Sequence, residues 1–483
     1  MASSRLPKTI GVWSATFLVI GSIIGSNIFM KPATMASQLG SPYLLILVWI
    51  VAGIVSMFGA MAFAELGTMF PETGGQYVYL RYAFGDLVAY LYGWASVAVI
   101  NTASIAAMGF VLASYASYFI PLPNFSLATE QSVVWHLPLI GNILPLQHFG
   151  VKALAITVIM GLSLVNYVSA RSGNRIQLIA TAMKVIVILL LIMGIFFSGK
   201  GHAVNFITNA PGFQLSNWTL LAGFMAATTG AFAAYDGWNN LNMVAGEIKD
   251  PATTINKSLI LGVSACIFIY VLISLAYLYV LPVDIMAQSP LVASDAAAVV
   301  MGNMAGAVIA LLIVISCFGS ANANLLANAR VIFAMAGSHL FFSWSGKIHP
   351  KFDTPGNAVL ILGIWSSVLV ISGSFDILAD MFIFIGWVFY GLTVLGFFIL
   401  RRKMPDQERP YKVWGYPWIP LIFLAFTGLY IGTTLYTDIT NYLSGKSAII
   451  NSVFGLVLTA IGIPLYFYFK RKNKGKMEAF GKW

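Results

Sequence analysis

Long apolar runs recur along the whole chain and constrain its fold more than any other feature. A helix needs about 20 apolar residues to cross a hydrocarbon core about 30 Å thick. Runs of this kind, separated by polar, Pro or Gly clusters, cover residues 10–37, 42–70, 85–119, 147–169, 175–198, 216–245, 256–281, 303–335, 357–375, 377–400, 415–437 and 447–470. The sequence therefore predicts an all-α integral membrane protein with 12 transmembrane helices.

The composition supports this interpretation, because 9% of the 483 residues are charged and 59% are hydrophobic. A soluble globular chain has about 25% charged residues, so soluble enzymes, nucleic-acid binders and disordered scaffolds are excluded. The net charge of +10 indicates membrane topology rather than a nucleic-acid partner, since the basic residues lie in short segments between the runs. Cys266 and Cys317 lie inside apolar runs, so we expect neither a disulfide framework nor a metal site.

The distribution of Lys and Arg predicts the orientation of the chain. If the N-terminus is inside, the outer segments contain only Lys152, Lys200 and Lys446, and nearly all other basic residues lie inside. Basic residues are enriched in cytoplasmic segments. We therefore expect a multi-pass protein of the cell inner (plasma) membrane, with the lipid bilayer as its surroundings and both termini cytoplasmic.

Two predicted spans are interrupted by residues that weaken a helix. Span 1 contains GSIIGSNIF at 21–29 and span 6 contains YDGWNN at 235–240, and both combine glycines with polar side chains. Small residues alone would indicate close helix packing, but these two spans begin corresponding halves of five spans each. This arrangement is typical of an inverted-repeat transporter with a midplane site. We predict a five-plus-five inverted repeat with broken helices 1 and 6.

These boundaries divide the chain into five segments. A cytoplasmic N-terminal tail (1–9) precedes the first inverted repeat of spans 1–5 (10–200). The second inverted repeat of spans 6–10 (201–402) follows. Spans 11 and 12 (403–470) and a basic cytoplasmic C-terminal tail (471–483) complete the chain.

An interrupted membrane helix leaves backbone N–H and C=O groups that need a polar ligand. A half-helix N-terminus presents N–H groups to a carboxylate, and a half-helix C-terminus presents carbonyls to a cation. A zwitterionic amino acid satisfies both. We expect its carboxylate at the amides around Ser26, Asn27 and Ile28, and its ammonium at carbonyls near Ile23 and Ala233.

Two ionisable residues lie deep within the predicted spans. Lys184 lies about nine residues from Arg175, which is roughly 14 Å along a helix, and a charge at that depth costs about 2.5–3.5 kcal/mol unless it has a partner. Lys184 either holds the bundle together or couples its spans. Asp236 lies in the interruption of span 6, where it either caps the second half-helix or contacts the substrate.

Five motifs in order resemble the L-type amino acid transporter branch of the amino acid, polyamine and organocation (APC) superfamily. They are GSIIGSNIF (21–29), AELGTMFPETGGQYVYLRYAFG (64–85), TAMK (181–184), YDGWNNLNMVAGEIKDP (235–251) and SCFGSANANLLANARV (316–331). The resemblance covers roughly residues 10–470. It implies a twelve-span inverted-repeat fold that gives L-amino acids alternating access to the two sides of the membrane.

The resemblance also implies roles for individual residues. Together with the backbone argument, it gives a candidate substrate-binding set of Ile23, Ser26, Asn27, Ile28, Ala233, Asp236, Gly237, Asn101 and Asn324. Lys184 matches the lysine that takes the place of a sodium ion in many members, and its implied neighbours in span 8 are Ser316 and Ser320. We expect no metal and no cofactor.

Three departures from the family pattern matter. The second Gly of the family's GSG is Asn27 here, which changes the size of the pocket. The aromatic residue expected three positions before Asp236 is Ala233, so the gate is either smaller or supplied by Phe232. Residues 120–151 contain no cysteine, whereas eukaryotic members use one to join a glycoprotein subunit. We therefore expect the stand-alone bacterial type, without a disulfide-linked heavy-chain subunit.

The residues and the resemblance together predict a sodium-independent secondary transporter that exchanges neutral L-amino acids. A cationic amino acid exchanger and a proton-coupled amino acid symporter stay open as alternatives. A transporter-like membrane sensor is the alternative from a different class, and it would need an appended soluble domain. An enzyme is not expected, because the spans contain no His-rich or paired-carboxylate cluster.

Overall fold

A computed structural model describes residues 8, 10–72, 74–168, 185–186, 188–213, 217–337, 339–350, 352 and 354–473. Among these residues the regular structure is helical, apart from a two-stranded antiparallel hairpin of β1 (Trp135–Leu137) and β2 (Gly141–Ile143). Lys184 and the rest of the first ten residues of predicted span 5 (175–184) lie outside the described residues.

The helices are defined by the following bounds in chain order. They are α1 (Val12–Ile23), α2 (Asn27–Leu39), α3 (Pro42–Met69), α4 (Gln76–Phe84), α5 (Asp86–Ala95), α6 (Asn101–Ala116), α7 (Leu127–Ser132), α8 (Phe149–Val168), α9 (Ile188–Phe197), α10 (Asn217–Tyr235), α11 (Asn240–Met243), α12 (Pro251–Val280), α13 (Val283–Gln288), α14 (Val292–Met301), α15 (Asn303–Gly337), α16 (Gly356–Ser372), α17 (Phe375–Lys403), α18 (Trp418–Leu443), α19 (Asn451–Ala460) and α20 (Gly462–Lys472). A π-helical turn (Ser96–Ile100) joins α5 to α6.

Among the residues that the structure describes, eight helical segments are long and apolar enough to cross a membrane, and the bent pair of α1 and α2 makes a ninth candidate. The eight are α3, α5 with α6, α8, α12, α15, α17, α18, and α19 with α20. The predicted spans 175–198, 216–245 and 357–375 coincide with α9, with α10 and α11, and with α16, which are not among these nine. Several membrane-spanning helices are therefore present, while the count of twelve and the inverted repeat stay predictions.

Helix boundaries follow local sequence signals. Pro42 and Pro251 are the first residues of α3 and α12, where the missing N–H of proline costs nothing. Basic residues fill the last turns of α17 and α20, where they complement the negative end of the helix dipole. Both ends of a helix are thus marked in the sequence.

The first compact unit comprises Met1–Ala89, Ile188–Met301 and Gly386–Thr434. In this unit α12 packs on α1 and α3, and α10 packs on α2 and α3. The rings of Trp49, Tyr235 and Tyr270 contact one another, with centroids 5.1–5.9 Å apart. Both interrupted spans, 1 and 6, therefore belong to the same unit.

A buried ion cluster lies within the first unit. Glu65 is 1% exposed, and its carboxylate accepts from Arg401 Nε at 2.8 Å, from Arg401 Nη2 at 2.5 Å and from the Val413 amide at 2.8 Å. Arg409 Nε lies 3.6 Å from Glu65 Oε1. Burial and, second, the Glu65 charge raise the pKa of Tyr411 to about 12, so this phenol stays neutral. Glu65 thus joins α3 to α17 and to the segment that follows it.

The second compact unit comprises Tyr90–Val187, Gly302–Ile385 and Leu435–Trp483. Here α6 packs on α8, α15 and α16, and α8 also packs on α16. A buried hydrogen bond of 2.7 Å from Asn166 Nδ2 to Asn322 Oδ1 links α8 to α15. The hairpin docks on the segment before α19, because the Asn142 amide donates to the Ala448 carbonyl at 2.6 Å.

Candidate functional site

The break in span 1 provides both N–H groups and space. The axes of α1 and α2 differ by 47°, and Ile24 is extended, with φ −68° and ψ 93°. The first N–H groups of α2, those of Asn27 and Ile28, have no acceptor in the preceding turn of an α-helix. A side-chain carbon at Gly25 would meet nothing closer than the Ile23 carbonyl oxygen, 3.7 Å away. A small anion could therefore approach this segment without displacing a side chain.

The break in span 6 contacts span 1 at Gly237. Helix α10 ends at Tyr235, and a turn precedes α11 at Asn240. Gly237 has φ +110°, and a Cβ atom there would lie 2.5 Å from the Ser22 carbonyl oxygen. Glycine alone fits this conformation and this close approach. Gly237 therefore brings the two breaks together.

Two side chains link the interrupted segments of spans 1 and 6 by hydrogen bonds to backbone carbonyls of those segments. Asn27 Nδ2 donates to the Ala233 carbonyl at 2.5 Å. The Tyr270 hydroxyl lies 3.0 Å from the carbonyls of both Ile23 and Ala234 and has one hydrogen to share between them. The expected ammonium-binding carbonyls of Ile23 and Ala233 thus each accept a side-chain hydrogen bond, and a carbonyl oxygen has a second lone pair.

Asp236 is held by a tyrosine of α17. The Tyr390 hydroxyl donates to Asp236 Oδ1 at 2.6 Å, and the Tyr390 ring packs on Trp238 and Phe63 at centroid distances of 4.9 and 5.9 Å. The N-cap residue of α11 is Asn239 rather than Asp236. The sequence offered a helix cap or a substrate contact for Asp236, and the structure adds an anchor to α17.

Removing the Tyr390 hydroxyl tests this anchor. We expect Tyr390→Phe and Asp236→Asn each to reduce uptake of all substrates alike, by about tenfold or more, because a hydrogen bond to a charged group is worth about 1.5–3 kcal/mol. The double variant should be no worse than Tyr390→Phe alone, since Asp236→Asn removes only the charge that strengthens the same hydrogen bond. Uptake of one neutral and one cationic amino acid in all three variants makes the measurement. Selective loss of the cationic substrate in Asp236→Asn would contradict the anchor and indicate a substrate contact.

Phe232 does not supply the missing aromatic gate in this conformation. Its ring stacks on Trp387 at a centroid distance of 3.6 Å and meets Tyr430 edge-on at 5.2 Å. The Phe232 side chain is 1% exposed. Of the two possibilities for the gate, the structure therefore favours the smaller residue, Ala233.

Lys31 is a buried basic residue that sequence reasoning left without a role. It lies in α2 one turn beyond Asn27 and is 2% exposed. Its stem passes Gly230 of α10, where an added Cβ atom would be 3.4 Å from Lys31 Cδ. Ionisable residues buried at membrane depth commonly have a functional role. A basic group therefore lies one helical turn from the expected carboxylate position.

The candidates on α15, Ser316, Ser320 and Asn324, form a polar ladder with Asn328. Ser320 Oγ donates to the Ser316 carbonyl at 2.8 Å, Asn324 Nδ2 to the Ser320 carbonyl at 3.0 Å, and Asn328 Nδ2 to Asn324 Oδ1 at 3.3 Å. A spacing of four residues places these side chains on one face of the helix. Lys184, the expected neighbour of Ser316 and Ser320, lies outside the described residues.

The predicted site residues are divided over the two units. The first unit contains Ile23, Ser26, Asn27, Ile28, Ala233, Asp236 and Gly237, and the second contains Asn101, Ser316, Ser320 and Asn324. Asn101 directly follows the π-helical turn, and its backbone N–H donates a hydrogen bond to the Ser96 carbonyl. Such turns are frequent at functional sites. Within the described part of the chain, no group of His, Cys, Asp and Glu residues is suited to a metal ion.

Comparisons with known proteins identify the class. The chain matches the amino acid permease family model over residues 10–472. It is 31% identical over 418 residues to the b(0,+)-type amino acid transporter 1 of Mus musculus, covering 86% of this chain and 80% of that protein. It is 32% identical over 482 residues to the large neutral amino acids transporter small subunit 2 of the same species, with coverages of 97% and 83%. It is 29% identical over 471 residues to the serine/threonine exchanger SteT of Bacillus subtilis (strain 168), with coverages of 97% and 98%.

The chain therefore belongs to the amino acid permease family, as the L-type motifs predict. It is an amino acid transporter and a multi-pass membrane protein, not an enzyme.

Proposed function

We propose that this transporter is a sodium-independent exchanger of neutral L-amino acids that works by alternating access. The observation that carries the proposal is the pair of broken helices in the first unit, where unpaired amides of span 1 lie beside carbonyls of spans 1 and 6. Opposite partial charges at one place suit a zwitterion. The open space at Gly25 gives the ligand room.

The substrate carboxylate would bind the amides of Asn27 and Ile28, with Ser26 beside them. Its ammonium would take the second lone pairs of the Ile23 and Ala233 carbonyls. The Asn27 side chain stabilises this arrangement, because its hydrogen bond of 2.5 Å to the Ala233 carbonyl holds α2 against α10. The same side chain narrows the pocket relative to the glycine usual in the family.

Two features favour neutral over cationic substrates. Lys31 places a buried basic group one turn from the carboxylate position, and like charges repel strongly in a low-dielectric site. The Asp236 carboxylate, which a cationic side chain would need, accepts the Tyr390 hydroxyl at 2.6 Å. The names of two relatives, a serine/threonine exchanger and a large neutral amino acids transporter, agree with this preference.

Sodium independence rests on Lys184, which matches the family's sodium-replacing lysine. An ammonium group there supplies the charge and occupies the volume that a sodium ion would need, and two cations at one position repel. Ser316 and Ser320, both buried on α15, are its proposed neighbours. In this proposal Lys184 couples the spans and does not contact the substrate.

The proposal includes the assembly and the orientation. Both cysteines, Cys266 and Cys317, are buried, which supports a transporter that has no disulfide-linked heavy-chain subunit. The excess of basic residues on one side supports cytoplasmic termini in the plasma membrane. Residues 10–200 and 201–402 are proposed as the two inverted repeats.

Exchange in reconstituted vesicles tests the function. Vesicles loaded with unlabelled serine or leucine should take up the labelled amino acid several-fold faster than empty vesicles. The reason is that the binding site of an exchanger turns back to the outside most readily when an amino acid from the vesicle interior is bound. Replacing Na⁺ by choline should leave uptake unchanged, and arginine and lysine should compete poorly. Binding without flux would instead indicate a sensor, uptake driven by an imposed proton gradient would indicate a symporter, and a sodium requirement would contradict the role of Lys184.

A further inference from the structure

A cavity of about 210 Å³ lies on the second unit, whereas both broken helices belong to the first unit. It is formed by the segment 341–344 and the end of α20, and its walls include the rings of Phe341, Phe342, Trp344 and Phe469 together with Lys472 and Asn473. The proposed transport function assigns nothing to these residues. The cavity is therefore a separate feature of the chain.

The two walls of the cavity are fixed to each other. Asn473 Nδ2 donates to the His339 carbonyl at 2.8 Å, and the Phe469 ring contacts Phe342 edge-on at a centroid distance of 5.2 Å. Phe342 and Trp344 nevertheless keep 43% and 51% of their surface exposed. The cavity is thus preformed, with apolar rings that a ligand can cover.

The charge at the cavity is positive. Lys470, Arg471 and Lys472 fill the last turn of α20, and Lys472 is the one of the three that lines the cavity. The contacts described for Lys472 are with a neutral ring, since its Nζ lies 3.2 Å from the Tyr468 hydroxyl and 5.4 Å from the ring centroid. Its charge is therefore available to an anion.

Aromatic rings next to a lysine suit a ligand that has both an anionic group and an apolar part. Basic pockets at the ends of transmembrane helices bind anionic lipid head groups on the cytoplasmic side, and aromatic side chains gather at the same depth of the membrane. A soluble phosphate ester would engage Lys472 but leave Phe342 and Trp344 uncovered. The combination of surfaces favours a lipid.

We propose that this cavity binds an anionic phospholipid, with the headgroup phosphate at Lys472 and the glycerol and first acyl carbons against the rings. Asn473 is a positioning residue, because its bond to the His339 carbonyl holds the lysine's end of α20 against the opposite wall. The site makes the protein sensitive to membrane composition at a place remote from the broken helices in sequence.

Native mass spectrometry of the purified full-length protein tests the site with phosphatidylglycerol and phosphatidylcholine as probes. Wild type should retain phosphatidylglycerol in preference to phosphatidylcholine, and Lys472→Ala should lower that retention about fivefold, the contribution of one basic residue that contacts an anionic headgroup. Lys470→Ala is the matched control, because it removes the same charge from the same helical turn without touching the cavity, and its retention should equal that of wild type.

Three results would overturn the proposal. Equal retention of the two lipids by wild type would show that no anionic group is recognised. Equal loss in Lys470→Ala and Lys472→Ala would indicate a diffuse surface charge rather than a site. Thermal stabilisation by glycerol 3-phosphate as large as that by phosphatidylglycerol would identify a soluble phosphate ester as the ligand.

Discussion

Gly25→Val should nearly abolish transport while the protein still folds. The backbone at Gly25 is not in the left-handed region, and an added Cβ atom would lie 3.7 Å from its nearest neighbour, so the substitution costs the fold little. The added methyl groups would fill the space beside the amides of α2 that the substrate carboxylate needs. Packing extra methyl groups into a site that the substrate also occupies costs about 1–3 kcal/mol. We expect uptake to fall by about tenfold to a hundredfold, measured against the amount of folded protein.

Gly428→Val is the control for this experiment. It places the same side chain in the same unit, on α18, where an added Cβ atom meets nothing within 4 Å. Its uptake should match that of wild type. If Gly25→Val also transports normally, the substrate does not occupy the break in span 1, and the proposed site is wrong.

Glu65→Ala should cause the largest loss of stability of any single substitution proposed for this chain. It leaves Arg401 and Arg409 next to each other in a largely buried place, and breaking a buried ion pair from one side costs about 3–5 kcal/mol. Heating the detergent-solubilised protein and measuring the monodisperse fraction should show a much lower midpoint than for wild type.

An exposed ion pair provides the comparison for Glu65. Arg81 and Asp86 form a 2.8 Å pair whose side chains are 57% and 53% exposed, and surface pairs contribute only about 0–1 kcal/mol. Asp86→Asn should therefore leave the midpoint nearly unchanged. Equal midpoints for Glu65→Ala and Asp86→Asn would show that the buried cluster does not stabilise the fold.

The main elements of the fold were predictable because each depends on residues close together in sequence. A continuous apolar run specifies a helix in a membrane. Glycines and polar residues within the run specify where that helix is interrupted. The sequence therefore predicted the break that the structure shows between Ile23 and Asn27, and the end of α10 at Tyr235. Gly237 was among the predicted residues, and its positive φ explains why a glycine is required there.

The partners of the site residues were not predictable, because they come from distant parts of the chain. Tyr390 lies 154 positions from Asp236, Tyr270 lies 247 positions from Ile23, and Arg401 lies 336 positions from Glu65. A tyrosine within an apolar run looks the same in sequence whether it faces lipid or a carbonyl. Contacts of this kind depend on which helices pack together, and a single sequence carries no signal for that.

The direction in which a single side chain points was also not predictable from the sequence. Phe232 and Ala233 are neighbours at the end of α10, so helix geometry turns them about 100° apart. The sequence left open whether Phe232 reaches the substrate gate. In the structure its ring stacks on Trp387 at 3.6 Å, and α17, which carries Trp387, comes late in the chain.

Competition by carboxylate-modified substrates tests the central claim most directly, namely that the broken helices bind a zwitterion through its carboxylate and ammonium. Uptake of a labelled neutral amino acid into loaded vesicles is measured with the unlabelled parent, its amide or its decarboxylated amine outside. The account predicts strong competition by the parent and at least about tenfold weaker competition by the amide and the amine, because a charge-assisted hydrogen bond is worth about 1.5–3 kcal/mol. Equal competition by the amine would contradict the account, since the amides of Asn27 and Ile28 would then have no carboxylate to bind.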